Sequence, residues 1–210
     1  MDWTVGQILK KLQALDLEEN TMIIFSSDNG PVLDDGYADK AVELATGHKP
    51  AGVLRGGKYS AFEGGSRVPW LVRWPEMIKP GTISNALICQ VDLLSSFSRF
   101  FQQSLEGTDA TDSFEIMDAL VGKSKTGRES LVKQGGTLSF IKQNWKYIEP
   151  NANQPFNKLT GTELGNDSKP QLYDLSKDMG EKNNLASQYP NKVRLMAEEL
   201  TRIKEAGGSR

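Results

Sequence analysis

An apolar, β-prone run, Thr21-Met22-Ile23-Ile24-Phe25, leads into Ser26-Ser27-Asp28-Asn29 and breaks at Gly30-Pro31. A strand stopped this abruptly puts two hard oxygen-bearing side chains at its tip, where open α/β sheets hold their ligands. The preceding residues 4–17 carry Val5, Ile8, Leu9, Leu12 and Leu15 at helical spacing. They predict an amphipathic helix followed by a turn at Glu18-Glu19-Asn20. A helix followed by a buried strand is half of a βαβ unit, so the chain opens as an α/β fold whose preceding strand lies outside the sequence.

Further along, residues 30–57 read as a long loop rich in Gly, Asp and Lys, a length that compact domains keep for function or leave disordered. Val68–Arg73 is a second strand closed by Trp74-Pro75, and Ala86–Gln90 a third. Asp92 is placed to N-cap a helix over Leu93–Gln103. After a polar stretch at 104–127 the pattern changes. Thr137–Lys142 and Trp145–Glu149 form a hairpin over Gln143-Asn144, and Leu172–Leu175 a short strand or turn. A last helix over 191–205 turns Val193, Met196, Ala197, Leu200 and Ile203 inward. The expected division is residues 1–127 for an α/β part and 128–210 for a small α+β subdomain, an antiparallel sheet with a final helix.

The chain has 210 residues, 38% of them hydrophobic, and 25 basic against 27 acidic side chains. A net charge of −2 gives no electrostatic case for nucleic acid or an anionic membrane. No apolar stretch reaches the ~20 residues a spanning helix needs, and no signal peptide is expected in the chain. One cysteine, Cys89, and one histidine, His48, exclude an internal disulfide and a Cys/His zinc site. Cys89 reads as a small hydrophobe in a strand.

The chemistry therefore gathers at Asp28-Asn29. Neighbouring strand residues face opposite ways, so both side chains can reach one ion only if the backbone turns there, and Gly30-Pro31 is expected to supply the turn. Carboxylate and amide oxygens suit Ca²⁺ or Mg²⁺, although Asp-Asn-Gly is also an ordinary turn after a strand. In Leu54-Arg55-Gly56-Gly57-Lys58 the glycines let backbone approach a ligand. Lys58 can neutralise an oxyanion there or remain a solvated loop lysine. Arg55 is expected to pair with Glu63 or a loop carboxylate. Glu63 and Arg67 bracket Gly64-Gly65 and read first as a structural pair, with Glu63 as a second catalytic carboxylate the alternative. His48, in a loop, either donates to a substrate oxygen or is a plain surface histidine. Trp70, Trp74, Trp145 and Tyr173 read as core and interface aromatics.

Taken in order, Ser-Ser-Asp-Asn-Gly-Pro (26–31), Leu-Arg-Gly-Gly-Lys (54–58), Phe-Glu-Gly-Gly-Ser-Arg-Val-Pro (62–69) and Arg-Trp-Pro-Glu (73–76) resemble the C-terminal half of the formylglycine-dependent sulfatases. These belong to the alkaline phosphatase-like superfamily. Asn144–Ile148, Leu172–Leu175 and Glu181–Ala186 agree with it. The arylsulfatase and N-acetylgalactosamine-6-sulfatase-like branch is the nearest. The resemblance implies a partial alkaline phosphatase-like sheet sandwiched by helices, with Asp28 and Asn29 on Ca²⁺ (ahead of Mg²⁺). It implies that Lys58 stabilises the sulfate in the transition state and, more loosely, that His48 touches substrate. The implied substrate is a sulfated carbohydrate or aryl sulfate. The loop 32–53 would help shape the sugar pocket. The family's C/S-x-P-x-R segment, source of the formylglycine, is absent, as are its N-terminal metal ligands. The chain alone is therefore expected to be inactive, to bind metal weakly and to need a missing N-terminal half. Its open sheet edge is expected to drive self-association. Periplasmic or secreted location follows from family habit. The rivals are a phosphoesterase or phosphonate hydrolase of the superfamily, and a non-catalytic glycan-binding or structural fragment.

Overall fold

The computed structural model describes residues 1–106 and 109–210. In chain order the elements are α1 (Asp2–Ala14), β1 (Ile23–Ser26), α2 (Ala41–Ala45), α3 (Glu63–Ser66), β2 (Trp70–Arg73), α4 (Asp92–Phe100), α5 (Met117–Leu120), β3 (Ser130–Gly135), β4 (Thr137–Lys142), β5 (Trp145–Ile148), β6 (Gln171–Asp174) and α6 (Pro190–Ala206). They form a mixed α/β fold with two antiparallel sheets and a C-terminal helix. The chain folds as two compact units, Met1–Ser26 with Pro69–Arg128, and Ser27–Val68 with Glu129–Arg210.

In the first unit, β1 and β2 pair antiparallel, with Ile23 opposite Arg73 and Ser26 opposite Trp70. Arg73 also reaches Glu18 at 3.0 Å, which ties the turn after α1 to the sheet. The apolar interior is divided. Trp74, Met117 and Val121 form one cluster, and Ile116, Ala119 and Leu120 another. Two expectations fail here. Among the described residues Ala86–Gln90 joins no ladder: the Leu87 carbonyl accepts the Arg128 N–H at 2.7 Å. Nor does Asp92 cap α4. Its Oδ2 accepts the Cys89 N–H three residues upstream, while Oδ1 accepts the Phe114 N–H and the Arg128 guanidinium at 2.7 Å. A carboxylate 0% exposed beside a side chain 2% exposed is held by its ion partner, since an unpaired buried charge is prohibitively costly.

In the second unit, β3–β4–β5–β6 is an antiparallel meander in sheet order as well as chain order. Gly136, at φ +79°, makes the tight turn from β3 to β4 that lets Gly135 face Thr137. β3 is an addition to the expected hairpin, which forms with Lys142 opposite Trp145. Helix α6 lays Val193, Met196, Ala197, Leu200 and Ile203 against Phe140, Tyr147 and Leu172. That is the face its 3.6-residue spacing specifies. Proline at its first position and Gly207 at φ +73° after its end bound the helix by the usual asymmetry of helix ends. The long loop after Pro31 holds one short helix, α2, between two left-handed residues, Lys40 and Thr46.

Candidate functional site

Asp28 and Asn29 follow the end of β1, and the second unit begins at Ser27. What fixes them is a layer of backbone made from the two glycine motifs. The Gly30 N–H donates to the Gly65 carbonyl at 2.8 Å, the Lys58 N–H to the Pro31 carbonyl at 2.9 Å, and the Gly64 N–H to the Arg55 carbonyl at 2.8 Å. The chains lie too close for side chains. A Cβ on Gly30 would sit 1.7 Å from the Gly64 oxygen, one on Gly57 2.5 Å from the Pro31 oxygen, and one on Gly65 2.1 Å from the Ser60 oxygen. Separate glycine pairs in the sequence are thus one packed structure. It joins the acid–amide tip to the Lys58 loop by direct hydrogen bonds.

Within that frame the donor set is well defined. Asp28 is exposed, and its Oδ1 accepts the Asn29 N–H at 3.0 Å and the Ser27 hydroxyl at 3.5 Å. Asn29 spends its Nδ2 on the Gly30 carbonyl at 2.9 Å. Among the described residues, Asp28 Oδ2 and Asn29 Oδ1 accept no hydrogen bond. Two hard oxygens are left for a cation. No group of three or more His, Cys, Asp and Glu side chains is placed to hold a metal among the described residues.

Lys58 is partnered. Its Nζ lies 3.0 Å from Asp35 Oδ2, and the Tyr59 hydroxyl donates to both Asp35 oxygens at 3.0 Å. The hydrogen bond to Asp35 raises the Lys58 pKa, so the ammonium form is favoured. Lys58 and Tyr59 together hold the Asp35 carboxyl below its ordinary value. Asp35 and Tyr59 escaped the sequence reading. The available signals were the Asp34-Asp35-Gly36 turn in the long loop and a tyrosine next to Lys58. His48 is exposed and makes no side-chain hydrogen bond among the described residues; its N–H closes on the Ala45 carbonyl at 2.7 Å after α2.

Next to the glycine motifs lies a set of paired charges, of which Glu63, Lys146 and Glu181 are buried. Arg55 pairs with Glu163 rather than Glu63, through Nε at 2.8 Å and a second guanidinium nitrogen at 2.9 Å, and its remaining nitrogen donates to the Glu181 carbonyl at 2.7 Å. Such a two-pronged contact is what a planar guanidinium makes with a carboxylate. Glu63 does pair with Arg67, at 3.2 Å. It also takes the ammonium groups of Lys133 and of Lys146, the latter at 3.0 Å. Lys146 in turn lies 2.8 Å from Glu181, which accepts the Glu63 N–H. The two lysines hold the Glu63 carboxyl down at about 2, against its burial.

Comparison with known proteins bears on the family and the fold. A family model described as Sulfatase matches residues 1–102. The N-acetylgalactosamine-6-O-sulfatase of Bacteroides thetaiotaomicron is 48% identical over 97% of this chain, and the match spans 40% of that protein. A solved sulfatase structure concerning the metabolism of multiple glycosaminoglycans by B. thetaiotaomicron superposes with a TM-score of 0.93 at 48% identity, covering 97% of this chain and 43% of that one. The phosphonate monoester hydrolase of Agrobacterium radiobacter superposes at 0.60 with 18% identity, over 98% of this chain and 39% of that one. At that identity the likeness is of fold alone. The chain spans about two fifths of the length of the curated relative it matches.

Proposed function

The chain belongs to the sulfatase family, and we propose that it forms the C-terminal share of an enzyme hydrolysing sulfate esters of glycans. The observation that carries this reading is the glycine layer. It ties the Asp28-Asn29 tip and the Lys58 loop together by backbone hydrogen bonds, and an acid, an amide and an ammonium group are the donors and charges that suit a metal-bound oxyanion. The family implies a metal. We assign it as Ca²⁺, held in part by Asp28 Oδ2 and Asn29 Oδ1, because both are hard oxygens without a hydrogen-bond partner of their own among the described residues. When bound, the ion would neutralise charge on a sulfate oxygen.

The residues of this chain supply the rest of what is proposed. Lys58 donates to a second sulfate oxygen and steadies the charge that gathers there. Its ammonium has three donors, and only one is used by Asp35 among the described residues. His48 is retained as a substrate-contacting residue, its side chain exposed on the loop after α2. The formylglycine nucleophile of the family arises in a C/S-x-P-x-R segment that residues 1–210 do not contain. Turnover is therefore assigned to a protein in which that segment and these residues occur together. By analogy with the relative, the substrate class is a 6-sulfated N-acetylgalactosamine glycan. A periplasmic or extracellular setting follows family habit. Among the described residues no helix is long and apolar enough to cross a membrane.

The test is a chimera in which this chain replaces the matching part of the B. thetaiotaomicron enzyme. It should release sulfate from N-acetylgalactosamine 6-sulfate. Asp28→Ala and Lys58→Ala should each lower kcat by about a hundredfold or more. Faster hydrolysis of the matching phosphate or phosphonate ester, or full activity in both variants, would overturn the assignment.

A further inference from the structure

The Lys58 ammonium is gripped by a device that the family reading does not require. Asp35 lies 23 residues upstream, yet one of its oxygens meets Lys58 Nζ at 3.0 Å. Tyr59, the next residue, sends its hydroxyl to the same carboxylate, 3.0 Å from each oxygen. For both side chains of a Lys-Tyr pair to end on one carboxylate, the backbone between them must turn sharply. Tyr59 does so at φ +78°, a left-handed conformation that bulky residues rarely adopt. Strain of this kind persists only where surroundings hold it, and it gathers at functional sites. The holding contacts are present: the Lys58 N–H is fixed to the Pro31 carbonyl at 2.9 Å, and the Ser60 N–H to the Gly57 carbonyl at 3.0 Å. The pair is not sealed off. The Lys58 side chain is 31% exposed and that of Asp35 21%, so a ligand can reach the ammonium.

We propose that Asp35 and Tyr59 are positioning residues for Lys58: the carboxylate fixes the ammonium through one N–H, the phenol fixes the carboxylate, and two N–H donors stay oriented for a sulfate oxyanion. The proposal rests on the sulfate-ester reading above and extends it to two residues outside the glycine motifs. Its physical content is preorganisation. A free lysine must order a long flexible stem when its ligand arrives, whereas one already tethered does not.

The first arm uses the full chain with ¹⁵N-labelled lysine, the Lys58 Nζ signal being assigned by its loss in Lys58→Arg. In the wild-type chain that signal should show slowed ammonium-proton exchange. Asp35→Asn should abolish the slowing, Tyr59→Phe should weaken it, and Asp35→Glu should restore part of it. Asp35→Asn and Tyr59→Phe signals that both match the wild type would overturn the proposal. The second arm uses the chimera, where Asp35→Asn should lower kcat about tenfold with KM within about twofold, as expected for a misoriented group. Unchanged kcat would again overturn it. A wild-type chimera that releases no sulfate would count against the sulfatase reading itself, and the labelled-lysine arm would then decide the tether alone.

Discussion

Gly30 has no space for even one methyl group. Its Cβ position falls 1.7 Å from the Gly64 oxygen and 3.1 Å from the Gly65 carbonyl carbon, and both neighbours are backbone that no rotamer change can move aside. Gly30→Ala must therefore spread the layer that carries Asp28-Asn29 and Lys58. We expect a loss of roughly 1–3 kcal/mol, the usual cost of overpacking a tight site, read as a lower urea midpoint with an unchanged slope. Gly47→Ala is the control: its Cβ would meet nothing within 4 Å, although its φ of +83° still carries a local backbone cost. The glycines were legible as motifs because they sit in pairs beside Lys58 and Glu63. Their pairing with one another was not, since nothing in the local sequence says which carbonyl a glycine will meet. The same holds for Asp35, whose partner is set by loop closure rather than by spacing. It holds too for Arg55, which finds Glu163 at a separation of 108 residues.

Helix α3 has four residues, Glu63–Ser66, two of them glycine, and no intrinsic tendency to form. It is held by Glu63, its first residue, whose carboxylate is 3% exposed and binds Lys133 of β3 and Lys146 of β5. Lys146 is 0% exposed and shared with Glu181, so Lys146→Met strands two buried carboxylates with too little positive charge. That should cost on the order of 3–5 kcal/mol, measured by denaturation at pH 7. The pH dependence has a definite sign. Glu63 holds its proton less tightly folded, at about 2, than at its ordinary 4.5. Its contribution, on the order of 3 kcal/mol, is complete above 4.5 and is given up as pH falls towards 2. Burial raises the Glu181 carboxyl, so that group works in the opposite direction and blunts the acid loss. Lys133 is lowered to about 8, mainly by burial; its penalty is relieved as pH rises from about 8 towards 10.5. Denaturation across pH 2–5 should show the wild type losing its advantage over Glu63→Gln as pH falls. A constant difference would remove Glu63 from the acid response. At this scale the sequence was readable where one period governs a whole element, as in α6 and the β4–β5 hairpin. It misled where a distant charge decided the matter: Asp92 resembles a cap locally, but Arg128, 36 residues away, claims its carboxylate.

Across the molecule, apolar burial is uneven. The second unit encloses Phe140, Leu172 and Leu200 at 1% exposure or less, beneath a four-stranded sheet and α6. The first unit has smaller clusters and a two-stranded sheet, an arrangement that is marginal in water without further packing. Helix α1 has no fully buried residue, and its Val5, Leu9 and Leu12 are only half-buried. Trp3 is 73% exposed and Leu71 of β2 59% exposed, so the helix draws less stability from packing than one with a fully buried face. Local stability follows local burial, so amide exchange should separate the units. Protection in β4 and β5 should approach the global limit, while α1 and the β1–β2 pair should exchange at least about a hundredfold faster. The same exposed side chains predict self-association of the isolated chain, visible as concentration-dependent sedimentation and reduced by Trp3→Glu. Equal protection in α1 and β4, together with a single sedimenting species at every concentration, would mean that the apolar surface of α1 is covered in solution by contacts that this fold does not contain.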